Sequence, residues 1–270
     1  MPGTRSGEAV AVTALPLWLL GLLLIVLMPA LAVVVQLALR RRWPGLRDGD
    51  HNDVAGFVIA IVGVIYAVLL AFVVIVSWEQ FSEAETVAGS EASALRTMYR
   101  ASTAFPPEVR EQLRGDVRDY ARAVVEVEWP AMAESQPGSP VVAGLLDRTS
   151  AHLAALPTTT PTQQEYAGVE ADRFNDVVTA RSSRLDFVEQ GVPGVLWMAL
   201  AVGAVVTIGF SMIFAMSSGL LHALMTASLA VLIGMLLFVA VAIDHPFAGD
   251  VAVAPRPLER VLADFGGPTP

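Results

Sequence analysis

Four runs without a single charged side chain organise this 270-residue sequence: 15–39, 55–78, 195–214 and 220–243. About 20 apolar residues at about 1.5 Å rise cross a hydrocarbon core of about 30 Å. Within lipid the backbone must satisfy its own hydrogen bonds, so runs of this kind fold as helices. The predicted fold class is therefore an all-α integral membrane protein with four transmembrane helices and a helical polar domain between the second and third.

The boundaries follow from where charge and proline return. Residues 1–14 form a short lead-in, and transmembrane helix 1 occupies 15–39. Ala30-Leu31-Ala32 imitates a signal-peptidase site, but the apolar run continues to Arg40-Arg41-Arg42, which predicts an uncleaved span. Transmembrane helix 2 covers 55–78 and ends at Trp78, a residue suited to the membrane–water interface. No proline interrupts the chain between Pro44 and Pro106. Phe81, Ala84, Ala88, Ala92, Leu95 and Tyr99 keep helical spacing, so this helix is expected to run on out of the membrane.

The extramembrane domain, 79–190, carries 18 acidic residues against 10 arginines. Pro106-Pro107 opens a helix with Val109, Leu113, Val117, Tyr120, Val124 and Val127 on one face, which Trp129-Pro130 is expected to close. A shorter helix follows, with Val141, Leu145, Leu146, Leu153 and Leu156 apolar. Thr160-Pro161-Thr162-Gln163 has the form of a capping box with proline at the first helical position. The helix it opens is predicted to reach Gln190 and to bury Tyr166, Val169, Phe174, Val177, Leu185 and Val188. Transmembrane helix 3 (192–215) and transmembrane helix 4 (219–243) form a tight antiparallel hairpin, and 244–270 is a proline-bearing tail.

Composition narrows function by exclusion. There is no cysteine, which removes disulfides, thiolate metal sites and a cysteine nucleophile. No phosphate-binding glycine loop, His-Glu-x-x-His helix or Gly-x-Ser-x-Gly elbow occurs, and the four histidines are far apart. No catalytic residue, metal site or cofactor is expected, and the chain is not read as an enzyme. His222, just inside the fourth run, is expected to snorkel to the interface. The net charge of −9 argues against a nucleic-acid partner. No Asp, Glu or Arg lies inside a run, unlike the usual ion-coupled transporter.

In the second run Gly56, Ala60, Gly63, Ala67 and Ala71 form one narrow stripe, which serves either tight helix packing or pore lining. The opposite face carries Val58, Ile65, Leu69, Phe72 and Val76, the composition of a constriction that gates by dewetting. Small residues recur every four or so in the third run (Ala199, Gly203, Thr207, Ser211) and the fourth (Ala223, Ala227, Ala230, Gly234). Acidic clusters stand at Glu79, Glu83 and Glu85, at Glu126 and Glu128, and at Asp244 and Asp250; each reads as a solvated helix end or exit turn, or as an acidic pore mouth.

A set of these residues resembles a bacterial membrane family described as bestrophin-like. It comprises Val64 to Phe72, Trp78-Glu79, Glu85, Glu91-Ala92, Glu128-Trp129-Pro130, Arg181, Arg184, Pro193, Trp197, and Asp244-x-Pro246-Phe247-x-Gly249. The resemblance covers about 51–265. It extends more distantly to bestrophin ion channels, which are pentamers with four spans, a long helical region between spans two and three, and second helices lining a hydrophobic neck. That likeness implies an oligomeric ion channel with Ile65, Leu69, Phe72 and Val76 as pore-lining candidates, and inorganic ions and the lipid bilayer as partners. This tail has no dense acidic run, so no calcium clasp is implied. Arg40, Arg41, Arg42 and Arg47 would by charge place the first loop in the cytoplasm. The family topology instead places the domain and both termini there, and it is the expectation adopted for a protein of the bacterial inner membrane. The alternative function is a membrane-anchored scaffold or sensor whose helical domain binds a partner.

Overall fold

The computed structural model describes residues 16–43, 52–136, 138–216 and 218–266, and every described regular element is helical. Arg47, singled out from sequence, lies outside the described residues. Among the described residues four helices are long and apolar enough to cross a membrane: α1 (Leu17–Arg42), α2 (Asn52–Ala101, followed by a 3-10 turn at Ser102–Ala104), α7 (Gly194–Ser211) and α8 (Gly219–Ala242). Between α2 and α7 come α3 (Pro107–Ala123), α4 (Trp129–Ala133), α5 (Pro140–Ala154) and α6 (Pro161–Glu189), and α9 (Arg256–Asp264) follows α8. The chain divides into two compact units, Met1–Glu79 with Gly191–Asp244, and Gln80–Gln190 with His245–Pro270.

In the first unit α1 and α8 pack antiparallel, and their register can be followed at steps of four. Arg40 meets His222, its Nη1 lying 3.1 Å from Nδ1, and Arg40 Nη2 donates to the Met216 carbonyl at 3.0 Å. One turn along each helix, Gln36 and Thr226 are fully buried, and a further turn brings Ala32 and Ala230 to the same level. Beyond them Gly234 lies against the Leu24 carbonyl and Met28, an approach that leaves no room for a Cβ. The small stripe of the fourth span is thus a packing surface in its second half. His222 does not snorkel. It is buried and lies 2.9 Å from the Ser211 carbonyl through Nε2, which satisfies it in place.

α2 and α7 meet through Tyr66, whose ring occupies the space beside Gly203. Tyr66, Leu70 and Val73 of α2 join Leu200, Ala204 and Ile208 of α7 in one apolar cluster. Asn52 exchanges two hydrogen bonds of 2.9 Å with the backbone of Ala215, tying the start of α2 to the α7–α8 connection. At the far end of the hairpin the buried Asp244 carboxylate accepts the Val192 N–H at 2.8 Å, holding the entry of α7 against the exit of α8.

The second unit is built on the outer half of α2. Ala84, Ala88 and Ala92 are wholly buried and present almost no side chain, so neighbouring helices approach closely. Against them lie Val117, Tyr120 and Val124, then Val177 and Val188 of α6, with Leu258, Val261 and Leu262 of α9 in the same core. The residues read as a tail therefore supply a helix to this core.

Three sequence expectations are corrected here. Trp129-Pro130 does not close the second helix: the chain passes through a π turn at Val124–Glu128 into α4. Pro130 falls at the start of α4, after the wider turn, and is accommodated there. That π turn also brings the fourth residue after Val124 inward, so Glu128 is buried while Val127, expected on the inner face, is exposed. In α5 Val142 and Thr149 are buried while Val141 is exposed. In α6 the inner face runs Glu170, Val177, Ala180, Arg184, Phe187 and Val188, and Tyr166 lies outside it. Charged residues occupy positions that an apolar pattern assigns to solvent. The capping box of α6 is present, with Thr160 Oγ1 accepting from Gln163 N–H and the Gln163 side chain accepting from Thr160 N–H.

Candidate functional site

The second unit encloses a network of ionic side chains in which Glu91, Glu128 and Arg184 are fully buried and Arg181 lies at the edge. Arg184, on α6, is 0% exposed. Its Nε donates to Glu91 Oε2 at 2.8 Å, and its Nη2 donates to Glu91 Oε1 at 3.1 Å and to Glu128 Oε2 at 2.9 Å. The third nitrogen, Nη1, donates to Met132 Sδ at 2.8 Å. Tyr120 O–H donates to Glu91 Oε1 at 2.7 Å. Arg181, one turn before Arg184, clamps Glu128 through Nε and Nη2, the latter at 2.6 Å from Oε1. The Ser139 N–H completes the coordination of Glu128 at 2.9 Å. Two carboxylates face two guanidinium groups, so the cluster is neutral. Both carboxylates accept bidentate donors, the geometry in which such pairs are strongest.

The electrostatics follow from this enclosure. Burial pushes the Glu128 carboxyl up, but the Arg181 hydrogen bonds, the Arg184 charge and the Ser139 N–H outweigh it and hold the group below its ordinary range. Burial, then the Glu91 charge, push the Tyr120 hydroxyl well above its usual value. Arg184 loses solvation, which favours its neutral form, yet Glu91 and Glu128 hold it charged.

Trp129 extends the network towards the C-terminal segment. Its indole N–H donates to the Val253 carbonyl at 3.0 Å, its ring meets Phe247 edge-on at 5.4 Å, and Arg184 lies 5.2 Å above it. The Val253 N–H in turn donates to the Pro246 carbonyl at 2.7 Å, closing the 246–253 turn. Gly249 in that turn has φ +86°, a conformation that favours glycine. Of the residues singled out from sequence, Glu91, Glu128, Trp129, Arg181, Arg184 and Phe247 are thus brought together, and Pro246 and Gly249 belong to the adjoining turn. Asp244 bonds within the first unit, and Pro130 is exposed. Trp78 and Glu79 are exposed at the end of the apolar part of α2. Met132 and Ser139 were not legible as partners, since neither residue type announces an ionic role; Tyr120 was visible only as one member of an apolar face.

This cluster has the chemistry of a clamp. Each carboxylate is held by guanidinium groups, Glu91 by Arg184 and Glu128 by Arg181 and Arg184. Among the described residues no group of three His, Cys, Asp or Glu side chains is placed to hold a metal ion.

A second feature lies on α2. Ile65 is 65% exposed and Phe72 56%, while Leu69 and Val76 are half-buried. Ala60, Ala67 and Ala71 of the small stripe are also exposed, and a Cβ at Gly63 would meet nothing within 4 Å. Within one chain, then, neither face of this stretch is fully covered.

Over residues 26–258 the sequence matches the family described as Bestrophin-like domain. Solved structures agree with the fold. A crystal structure of a bacterial bestrophin homologue from Klebsiella pneumoniae matches with a TM-score of 0.71 at 11% identity, over 91% of this chain and 99% of that one. A second structure of a homologue from that organism gives 0.70 at 14% identity, over 92% and 99%. A third, solved by zinc phasing, gives 0.65 at 14% identity, over 93% and 99%. At these identities the likeness is one of fold. No curated protein matches the sequence.

Proposed function

The chain belongs to the bestrophin-like family, and from that premise we propose that it assembles with copies of itself into an ion channel whose pore is lined by α2. The observation that carries this reading is the uncovered face of α2. Ile65 and Phe72 stand exposed on a helix whose adjacent side, at Tyr66, Leu70 and Val73, is already packed. In an oligomer this face would turn to the axis, with Ile65, Leu69, Phe72 and Val76 forming a hydrophobic neck that passes ions when wetted and blocks them when dry. The exposed small residues Ala60, Ala67 and Ala71 would let neighbouring copies approach closely. The clamp at Glu91, Glu128, Arg181 and Arg184 would stiffen the outer half of α2, which is continuous with the neck. In this reading the polar unit and both termini would lie in the cytoplasm of a bacterium, with the spans in its inner membrane.

The test is flux through purified protein in liposomes under chloride and potassium gradients, with empty liposomes as control. The reading expects flux that rises or changes selectivity in Phe72→Ala and Leu69→Ala. A folded, oligomeric preparation without flux would overturn it and favour an anchor whose polar unit binds a partner.

A further inference from the structure

A groove of about 500 Å³ in the second unit lies between the outer part of α2 and the start of α9, lined by Ser82, Glu85, Thr86, Arg256 and Arg260, with Val253 among its floor residues. That volume is in the range of small-ligand sites. Arg256 and Arg260 are four apart on α9 and share one side of it. Neither forms an ion pair or a hydrogen bond among the described residues, and neither does the Glu85 carboxylate. The two signs of charge therefore line one groove without meeting within 4 Å.

We infer that this groove binds a phospholipid headgroup carrying both a phosphate and a primary ammonium. The arginines offer planar donor forks to phosphate oxygens, a geometry that suits a tetrahedral anion. The Glu85 carboxylate, which would weaken a simple anion site, is then the acceptor for the ammonium. Ser82 Oγ adds a hydroxyl for an ester or phosphate oxygen; Thr86 Oγ1 is already bonded to the Ser82 carbonyl. The lipid source is favoured by sequence position: Ser82 lies four residues, about one helical turn, beyond Trp78, where the apolar run of α2 ends. A soluble zwitterion or free phosphate shares part of this chemistry, and the experiment separates them.

Full-length protein in detergent is titrated with dioleoylphosphatidylethanolamine and with dioleoylphosphatidylglycerol, and bound lipid per chain is read by native mass spectrometry. Arg256→Gln with Arg260→Gln is expected to lower retention of both lipids by about tenfold, as loss of charge-assisted contacts predicts. Glu85→Gln is expected to abolish the preference for ethanolamine over glycerol while leaving phosphatidylglycerol bound. Both variants alter exposed side chains and spare Leu258, Val261 and Leu262, so the unit keeps its core. Equal retention by wild type and the arginine variant overturns the site. Inorganic phosphate or phosphoethanolamine displacing the lipid at equimolar concentration overturns the lipid as its ligand.

Discussion

Glu170→Gln replaces a carboxyl that is 0% exposed on the inner face of α6 and whose two oxygens have no hydrogen-bond partner among the described residues. Burial alone raises its pKa from 4.5 to about 8. The direction is opposite to that of a salt-bridged carboxylate, and the stability consequence reverses with it. Below pH 4.5 both folded and unfolded chains hold the proton, and the group is harmless. Between 4.5 and about 8 the unfolded chain releases its proton while the folded chain retains it, so stability falls as pH rises. Above about 8 the loss levels off. A tenfold change in proton affinity is worth about 1.4 kcal/mol, so the total loss has a ceiling of ~5 kcal/mol. Glutamine is neutral throughout, and any cost of its own buried amide does not vary with pH. The variant therefore gains on the wild type as pH rises, by an apparent melting shift on the order of 10 °C at a conversion of about 2–4 °C per kcal/mol. The assay is thermal unfolding in detergent from pH 5 to 8.5, followed by tryptophan fluorescence, since Trp129 reports on the core of the same unit. Parallel pH profiles for wild type and Glu170→Gln would refute the reasoning, because they would mean that the carboxyl ionises as it does in water.

Arg184→Met leaves Glu91 without its guanidinium partner and deprives Glu128 of one of two, and is expected to cost about 3–5 kcal/mol, as unpaired buried charge does. Adding Glu91→Gln, which keeps an acceptor for Tyr120, should recover part of that loss, and additive losses in thermal unfolding of the double variant would count against a coupled network. In the first unit Gly234→Ala places a methyl on the Leu24 carbonyl and should destabilise by about 1–3 kcal/mol. Gly209→Ala, where a Cβ meets nothing within 4 Å, should be neutral or stabilising by about 1 kcal/mol. Equal thermal shifts for the two glycine variants would contradict the close α1–α8 approach.

The membrane architecture was legible because lipid permits so few solutions. A long uncharged run must satisfy its backbone internally, so composition alone names the helix and nearly its ends. The unbroken passage of α2 beyond Trp78 was equally readable, from the lack of proline and the alanine spacing at 84, 88 and 92. The capping box at Thr160 was legible because it is a contact between residues three apart.

The apolar members of the inner faces of α3 and α6, such as Leu113, Val117, Tyr120, Val177 and Val188, were legible, but the charged residues buried beside them were not. Hydrophobic periodicity assigns charged residues to solvent, and Glu91, Glu128, Glu170 and Arg184 all lie inside. Whether a charge can be buried depends on a partner that is remote in sequence: Arg184 is 93 residues from Glu91 and 56 from Glu128. No local pattern encodes that meeting. The π turn before Trp129 shifted the register as well, exchanging Val127 for Glu128 on the inner face. The resemblance to a family had picked out Glu91, Glu128, Arg181 and Arg184 as a set without saying what joins them. Sequence by itself determined which segments belong in lipid, since transfer to an apolar medium is decided residue by residue. Only the tertiary structure decided where the ionic residues go, since a buried charge is tolerated only when folding brings its counter-charge within hydrogen-bond reach.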